Sequence, residues 1–249
     1  MRLLITGHSG FIGQHLLQAL SINLPPGLIS NIITPSRDEV DLESKGAANK
    51  IIEVFQPTHV LHLAWAMTSE KNYDQGHSHA EWSKRTLLLA RELSEVGIIS
   101  WVVGTGLEHY GFNENLSPYG LAKLNLKKDI IDLDSPLCRW ISMPFIFSLF
   151  HQRPRLMKSC LQGEPLAFPD MEQDYLDVRD VAVQLKNIIC NSSYQVSSIS
   201  SFKRTANSIV CSQISSKKND TLLNSCSCQD SGQLLLSATD TFFTEMLLY

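Results

Sequence analysis

Residues 1–14 of the chain, MRLLITGHSGFIGQ, decide its fold. The apolar run over residues 3–5 predicts a short buried strand, and the amphipathic segment after the glycines predicts a helix. Gly7 allows a tight turn, Gly10 lets the backbone approach a pyrophosphate, and Gly13 lets the helix pack closely on the strand. Phosphate charge is stabilised at a helix N-terminus. The stretch therefore predicts a dinucleotide site, with an ordinary strand-to-helix turn as the alternative.

The glycines are spaced as G-x-x-G-x-x-G after a threonine, in TGHSGFIG. This spacing resembles the extended short-chain dehydrogenase/reductase superfamily and its nucleotide-sugar epimerase/dehydratase branch. The resemblance implies an α/β fold: a doubly wound parallel sheet of six or seven strands, the NAD(P)-binding Rossmann fold, with a small, reduced C-terminal substrate lobe. The turn residues expected at the cofactor are Gly7, His8, Ser9, Gly10, Phe11, Ile12 and Gly13.

Composition narrows the class of protein. The chain has 249 residues, of which 43% are hydrophobic, so it can bury a sizeable core. The net charge of −4 is scattered, and this excludes a basic surface for nucleic acid or a membrane. We expect no signal peptide or anchor, because no apolar run reaches about 18 residues, and hence a cytoplasmic location. The six cysteines form no CxxC pair and have no histidines at metal spacing, so we expect free thiols and no metal.

The end of the second predicted strand, residues 29–34, bears on the choice of cofactor. Arg37 there is able to pair with the 2′-phosphate of NADP, and Ser36 to hydrogen-bond it. Asp38 argues in the other direction, since an acid at this edge binds the ribose hydroxyls of NAD. We favour NADP(H) over NAD(H). The alternative is that Arg37 is a solvated loop charge. Residues 37–42 resemble the R-x-E-x-D/N-L stretch of nucleotide-sugar 4-ketoreductases that use NADPH.

The third predicted strand, residues 58–65, contains His-Leu-Ala-Trp. The first three of these residues match a V-x-H-L-A element of the family, which implies that Leu63 and Ala64 lie at the cofactor. The four together resemble a subgroup of NDP-4-keto-6-deoxyhexose reductases. We expect His62 to be a buried core histidine without a chemical role.

The sequence YGLAK places Tyr119 and Lys123 four residues apart on a predicted helix, and hence on one face. A phenol is a poor acid or base near neutral pH, and a neighbouring ammonium favours the phenolate and so lowers the phenol pKa. Lys123 is therefore expected to tune Tyr119 as general acid/base. The resemblance also puts both side chains at the cofactor.

The fourth predicted strand, residues 98–104, delivers Thr105 to the same edge of the sheet. The resemblance implies that its hydroxyl polarises the substrate oxygen. Aligning G-T-x-x-E places Glu108 three residues later, either as an auxiliary acid/base or sugar ligand or as a surface acid. A dehydratase is disfavoured because Gly106 and Leu107 replace the adjacent Asp-Glu pair of that branch.

The rest of the chain predicts a second domain. Residues 139–147 predict strand five, whose Pro144 matches the family proline beside the nicotinamide. Residues 173–182 resemble the family element R-D-F-x-x-V-x-D-V-A, in which Asp180 is expected to cap or anchor a return helix over residues 178–189. We therefore predict a Rossmann domain over residues 1–149 and a substrate lobe over residues 150–249, with a last strand over 194–200, a helix over 205–214 and a divergent tail.

These observations predict an NADP(H)-dependent oxidoreductase or epimerase that acts on a nucleotide-linked keto-sugar. The expected assembly is a homodimer formed through the helices over residues 79–95 and 117–132. The alternative is a catalytically impaired Rossmann protein that senses the cofactor or binds a partner. The short 111–119 connection, Gly106 and the divergent tail favour that alternative, whereas the retained tyrosine and lysine oppose it.

Overall fold

The computed structural model describes residues 1–22, 27–65, 77–107, 116–148, 172–191, 194–201, 204–206 and 209–210. The chain divides into two compact units. The first is Met1–Met143 with Leu185–Ile199, and the second is Pro144–Gln184 with Ser200–Tyr249. In chain order the elements are β1 (Arg2–Thr6), α1 (Phe11–Ser21), β2 (Asn31–Ile33), α2 (Ala47–Lys50, continued by a π-helical turn over Ile51–Phe55), β3 (His59–His62), α3 (His77–Glu95), β4 (Ile99–Val103), α4 (Pro118–Asp132), β5 (Cys138–Ser142), β6 (Phe145–Phe147), β7 (Glu172–Asp177), α5 (Val178–Asn191), β8 (Val196–Ser198) and β9 (Arg204–Ala206).

A six-stranded sheet forms the centre of the first unit, with the strand order β2-β1-β3-β4-β5-β8. Every neighbouring pair in it is parallel. The chain starts in β1, adds β2 on one side and then crosses to β3 on the other. Such a reversal opens a crevice at the carboxyl ends of β1 and β3, where open α/β sheets bind ligands. The predicted doubly wound parallel fold is confirmed.

The apolar run after Met1 explains why β1 lies at the centre of this sheet. Leu3, Leu4 and Ile5 are fully buried, which is expected for a parallel strand covered on both faces. One cluster of the core joins β1 and β3 to the helices α2 and α3, and a second joins β4 and β5 to α3 and α4. Among the described helices, none is both long and apolar enough to cross a membrane.

Strand five differs from its prediction. A single strand over residues 139–147 is wrong, because β5 ends at Ser142 and Pro144 interrupts the chain before β6. Proline has no backbone N–H to donate to a neighbouring strand. The strand β6 instead pairs in parallel with β7, in the second unit.

The second unit corrects one further prediction and half of another, because Asp180 was expected to cap or to anchor the helix and only the cap is contradicted. The N-terminal cap of α5 is Asp177, whose Oδ1 accepts from the backbone N–H of Arg179 at 2.9 Å, and Asp180 lies buried in the first helical turn instead. The helix expected to begin at residue 205 is wrong at its start, because Arg204–Ala206 forms β9 and pairs antiparallel with β7. Residues 209–210 of that prediction are helical, and residues 207–208 and 211–214 lie outside the described part of the chain.

Candidate functional site

The glycine turn after β1 has no room for side chains. Gly7 has a φ of +71°, and a Cβ on it would lie 2.6 Å from the backbone nitrogen of Ala64. A Cβ on Gly13 would lie 2.5 Å from the carbonyl oxygens of Gly7 and His8. Gly10 is the N-cap residue of α1 and has no side chain that could accept from the first amide groups of the helix. Those N–H groups are therefore left for another acceptor. The tight turn expected at Gly7 and the close packing expected at Gly13 are therefore present, while the approach of a pyrophosphate to Gly10 stays a prediction.

A cleft of about 720 Å³ lies where this turn meets the ends of β2 and β3. Its lining residues are Thr6, Gly7, His8, Ser9, Gly10, Pro35, Ser36, Arg37, Val40, Asp41, Leu42, Glu43, Leu63, Ala64, Trp65 and Trp82. Phe11 and Ile12 are the first two residues of α1 and follow the turn directly. The Nδ1 atom of His8 is buried and has no hydrogen-bond partner among the described residues. Eight of the residues predicted to bind the cofactor line this one cavity: Gly7, His8, Ser9, Gly10, Ser36, Arg37, Leu63 and Ala64. The other predicted residues are not among its lining residues: Phe11, Ile12, Gly13, Tyr119, Lys123 and Pro144.

The wall of the cleft after β2 is built on a tight polar turn. The backbone N–H of Ser36 donates to the Glu39 carboxylate at 2.8 Å, and the backbone N–H of Glu39 donates to the Ser36 hydroxyl at 3.2 Å. The hydrogen bond from the Ser36 backbone to the carboxylate, followed by one from the Ser36 side chain, holds the pKa of Glu39 below its usual value. Arg37 next to this turn is 77% exposed and pairs with Glu43 at 2.8 Å. The guanidinium predicted to bind a phosphate thus lies at the cleft, beside a carboxylate that competes for it.

His62 at the end of β3 is a structural histidine, as predicted. It is 4% exposed, and its Nδ1 and Nε2 atoms lie 2.9 Å from the Thr6 hydroxyl and 3.2 Å from the Thr86 hydroxyl. Burial lowers its pKa from 6.5 to about 3, and the nearby charge of Lys123 acts in the same direction. The imidazole is therefore neutral and joins β1 to α3.

The predicted acid/base pair lies on the first turns of α4. Ser117 caps this helix, since its hydroxyl accepts from the backbone N–H of Gly120 at 3.2 Å. Lys123 is only 5% exposed, and its Nζ donates to the carbonyl oxygen of Val103, the last residue of β4, at 2.8 Å. Tyr119 is half-buried one turn earlier. The α4 helix thus brings the lysine to the carboxyl edge of the sheet.

Trp65 connects this pair to the cleft. Its ring lies 3.9 Å from Lys123 Nζ and 5.9 Å from the Tyr119 ring, which it meets edge-on at 81°. Its indole N–H donates to His79 Nδ1 at 3.1 Å, and the Trp82 ring lies 6.3 Å away. Because Trp65 also lines the cleft, the predicted cofactor site and the predicted acid/base pair share one side chain.

The remaining predicted site residues are less completely described. Thr105 follows β4 and is half-buried, and Leu107 packs against Gly120, the residue after Tyr119. Thr105 thus lies just beyond the carboxyl end of β4, and its predicted role at the substrate oxygen stays a prediction. Pro144 begins the second unit. Glu108 lies outside the described residues, and so does most of the 111–119 connection.

Three contacts at this site were not predicted from the sequence. Trp65 was placed in the third strand, but it lies beyond the end of β3 and contacts the helix that carries the acid/base pair. His79 holds its indole N–H, and Glu43 holds Arg37. A tryptophan directly after a strand that ends at the cleft was the available signal. The pairing of Arg37 with Glu43 had no signal, because irregular chain separates the two residues.

The sheet, its reversal of strand order and the glycine turn define a Rossmann-type α/β protein. Residues 3–134, more than half of the chain, match the model of the NAD dependent epimerase/dehydratase family. The chain belongs to this family, which lies within the extended short-chain dehydrogenase/reductase superfamily. No functionally described protein matches the sequence significantly.

Several solved structures share the fold at low sequence identity. A dTDP-4-dehydrorhamnose reductase of Clostridium acetobutylicum aligns with a TM-score of 0.67 and 17% identity, over 86% of this chain and 79% of that one. The same enzyme of Bacillus anthracis, in complex with NADP, aligns with a TM-score of 0.67 and 16% identity, over 88% and 81%. The UDP-glucose 4-epimerase of Thermus thermophilus, in complex with NAD, gives 0.62 and 19%, over 87% and 83%.

Proposed function

We propose that this protein is an NADP(H)-dependent oxidoreductase or epimerase that acts on a nucleotide-linked keto-sugar. The observation that carries the proposal is the contact of Trp65 with both Tyr119 and Lys123 at the wall of the glycine-turn cleft. This contact puts a phenol and an ammonium group behind a wall of the cleft in which we propose that the dinucleotide binds. The activities of the structural neighbours, which are reductases and epimerases of nucleotide sugars, support the same class of reaction.

A dinucleotide suits the glycine-turn cleft for two reasons. The backbone of the turn borders the cleft, which Gly7, Ser9 and Gly10 line, and the close packing of protein backbone at Gly7 and Gly13 holds the turn in that shape. The N-terminus of α1 has no side-chain cap and offers amide donors and a partial positive charge to that phosphate. The residues that would hold the pyrophosphate are therefore Gly7, Gly10 and the amides that begin α1. Bound there, the nicotinamide supplies or accepts the hydride.

Each residue of the catalytic group has a distinct role in this proposal. Tyr119 gives a proton to the sugar oxygen as the carbonyl is reduced, or takes it in the reverse direction. The ammonium of Lys123 favours the phenolate and thereby eases this transfer. Thr105 donates a hydrogen bond to the same oxygen. Glu108 is either an auxiliary acid/base or sugar ligand, or a surface acid, and Pro144 is proposed to border the nicotinamide.

Arg37 is proposed to give NADPH preference over NADH. A guanidinium and a phosphate form charge-assisted, often bidentate, hydrogen bonds worth roughly 1.5–3 kcal/mol, or about 10- to 100-fold in affinity. Arg37 is 77% exposed and already pairs with Glu43, so we expect the lower end of this range, about tenfold. The competing acid Asp38 follows Arg37 directly and would favour NADH.

The preference is measured by titrating NADPH and NADH against the wild type and Arg37→Ala, following the fluorescence of the reduced nicotinamide. The variant is expected to lose most of the preference by weakening NADPH alone. Arg85→Ala is the matched control, because Arg85 also pairs with Glu43 but is not among the residues that line the cleft. Equal affinity for both cofactors in the wild type, or a preference kept by Arg37→Ala, would refute the role of Arg37.

The alternative function is a cofactor sensor or partner-binding protein without catalysis. The near-complete burial of Lys123, at 5% exposure, is the observation in its favour. A sensor binds NADPH but consumes none with any nucleotide-linked 4-keto-6-deoxyhexose, whereas a reductase oxidises NADPH with at least one member of such a panel. Tyr119→Phe should bind NADPH as the wild type does and lose nearly all of this turnover.

A homodimer through α3 and α4 is proposed in either case. The two helices pack together, and each exposes a large apolar side chain, Leu88 at 49% and Leu121 at 43%. Sedimentation equilibrium should give twice the chain mass of 27.9 kDa, and a monomer would remove the proposal. A cytoplasmic location stays a prediction from the sequence.

A further inference from the structure

We infer that Trp65 is a positioning residue that holds the Lys123 ammonium beside Tyr119 through the face of its indole ring. The inference rests on the proposed function, since it assumes that this lysine and tyrosine act as a pair. It adds a residue that lies far from both in the sequence and is connected to them only by the fold.

The charge on Lys123 is held between a carbonyl oxygen and an indole ring. Its Nζ donates to the carbonyl oxygen of Val103 at 2.8 Å and lies 3.9 Å from the centroid of the Trp65 ring. A cation within about 6 Å of an indole centroid is attracted by the negative face of the ring, and the attraction is strongest where water is excluded. With 5% exposure, Lys123 meets that condition. The hydrogen bond to the carbonyl oxygen fixes one direction of the ammonium group, and the indole ring restricts the remaining movement of that group.

The same indole ring also contacts the ring of Tyr119. The tyrosine and tryptophan rings meet edge-on at 81°, with centroids 5.9 Å apart, which is a favourable arrangement for two aromatic rings. Residues 119 and 123 are one helical turn apart on α4 and lie on one face. One indole therefore touches both members of the pair and limits their relative movement.

Trp65 is itself held by its indole N–H and by the backbone of the residue before it. Its N–H donates to His79 Nδ1 at 3.1 Å, and His79, on α3, is 1% exposed. On its backbone side, the N–H of Ala64 donates to the Thr6 hydroxyl at 3.4 Å. A ring whose N–H is bonded to a buried histidine, on a chain anchored at the preceding residue, is able to impose its position on a flexible lysine side chain. Simple packing would need neither the hydrogen bond to His79 nor the ammonium on the ring.

The test measures the ionisation of Tyr119 without any substrate. Tyrosinate absorbs at about 295 nm, and the signal of Tyr119 is the difference between each protein and the same protein carrying Tyr119→Phe. The described ionisable groups facing this region are Lys123 on α4, His79 on α3 and His62 on β3. The full chain is titrated in the alkaline range as wild type, Lys123→Met, Trp65→Leu and Trp65→Phe. Circular dichroism at each pH confirms that the protein is folded.

Lys123→Met should raise the pH at which Tyr119 ionises, because the ammonium that favours the phenolate is gone. The proton concentration at the midpoint of the titration should fall at least tenfold. Trp65→Leu should move it in the same direction by about tenfold, since leucine offers no aromatic face to the ammonium. Trp65→Phe keeps a weaker face and should move it by about threefold. The control is Trp101→Phe, which removes a buried indole stacked on His59 and should not move it.

A shift with Lys123→Met but none with either Trp65 variant would overturn the inference and leave the proposed acid/base pair intact. A shift to lower pH in Trp65→Leu would overturn it as well. If Lys123→Met itself causes no shift, the pair is not coupled, and the proposed function fails together with the inference. Where Trp65→Leu does not fold, the comparison of Trp65→Phe with Trp101→Phe decides, because a purely structural role predicts no shift in either.

Discussion

Protein stability should fall on mild acidification because of one buried histidine, His62. Its pKa is lowered from 6.5 to about 3 in the folded protein, mainly by burial and then by the charge of Lys123. In the unfolded chain the same imidazole takes up a proton as the pH falls below about 6.5, whereas the folded form stays neutral until about pH 3. Acid therefore favours the unfolded state. The contribution of His62 is complete above about pH 6.5 and is lost as the pH falls from there towards about 3.

The size of the effect follows from the two pKa values. Between about pH 7.5 and about pH 5, the free energy of unfolding should fall by about 2 kcal/mol through His62 alone. The loss would approach about 5 kcal/mol once the pH is below both values. Solvent does not weaken this effect, because the His62 side chain is buried and hydrogen-bonded to Thr6 and Thr86.

Urea denaturation at a series of pH values measures this contribution. His62→Gln replaces the imidazole by a side chain that does not titrate, so the free energy of unfolding of the variant should depend less on pH, by about 2 kcal/mol over the same interval. Ser117→Ala is the matched control, because it destabilises a helix without removing an imidazole and should keep the pH dependence of the wild type. If wild type and His62→Gln lose stability in parallel, His62 does not stay neutral in the folded protein and the reasoning is wrong.

Two further substitutions test the construction of the site. Gly13→Ala places a Cβ 2.5 Å from two carbonyl oxygens and should weaken NADPH binding by about 100-fold or unfold the turn. The control Gly120→Ala meets leucine side chains at 3.2 Å and should keep the binding. Fluorescence titration measures the binding and circular dichroism the folding, and wild-type binding by Gly13→Ala would contradict the role of this glycine. Ser117→Ala removes the cap of α4 and should cost about 1 kcal/mol of unfolding free energy in urea, while Ser117→Asp should restore it.

The features predictable from the sequence are those that the backbone decides locally. The strand and glycine turn at the start of the chain follow from an apolar run and three residues without side chains, and the i, i+4 pair of Tyr119 and Lys123 follows from helix geometry. His62 was predicted as a core residue because a histidine within an apolar strand is usually buried. Each of these required no knowledge of distant contacts.

The features that were missed depend on contacts between distant parts of the chain. The cation–π contact joins the residue after β3 to the middle of α4, and no spacing rule relates those positions. The end of β5 was placed too late because Pro144 was counted within the strand, although its missing N–H separates two different sheets. The strand β9 was mistaken for a helix because its partner, β7, supplies the pairing that its own sequence does not indicate.

The central claim, hydride transfer to a nucleotide-linked keto-sugar, is tested most directly by following the hydrogen itself. The wild type and Tyr119→Phe are each incubated with NADPH that carries deuterium at both C4 positions and with a panel of nucleotide-linked 4-keto-6-deoxyhexoses. The masses of the sugar products are then measured by mass spectrometry. We expect the wild type to place one deuterium on a carbinol carbon of at least one sugar, and Tyr119→Phe to place almost none while still binding NADPH. Binding of NADPH by the wild type without deuterium in any sugar would contradict the claim and favour the sensor.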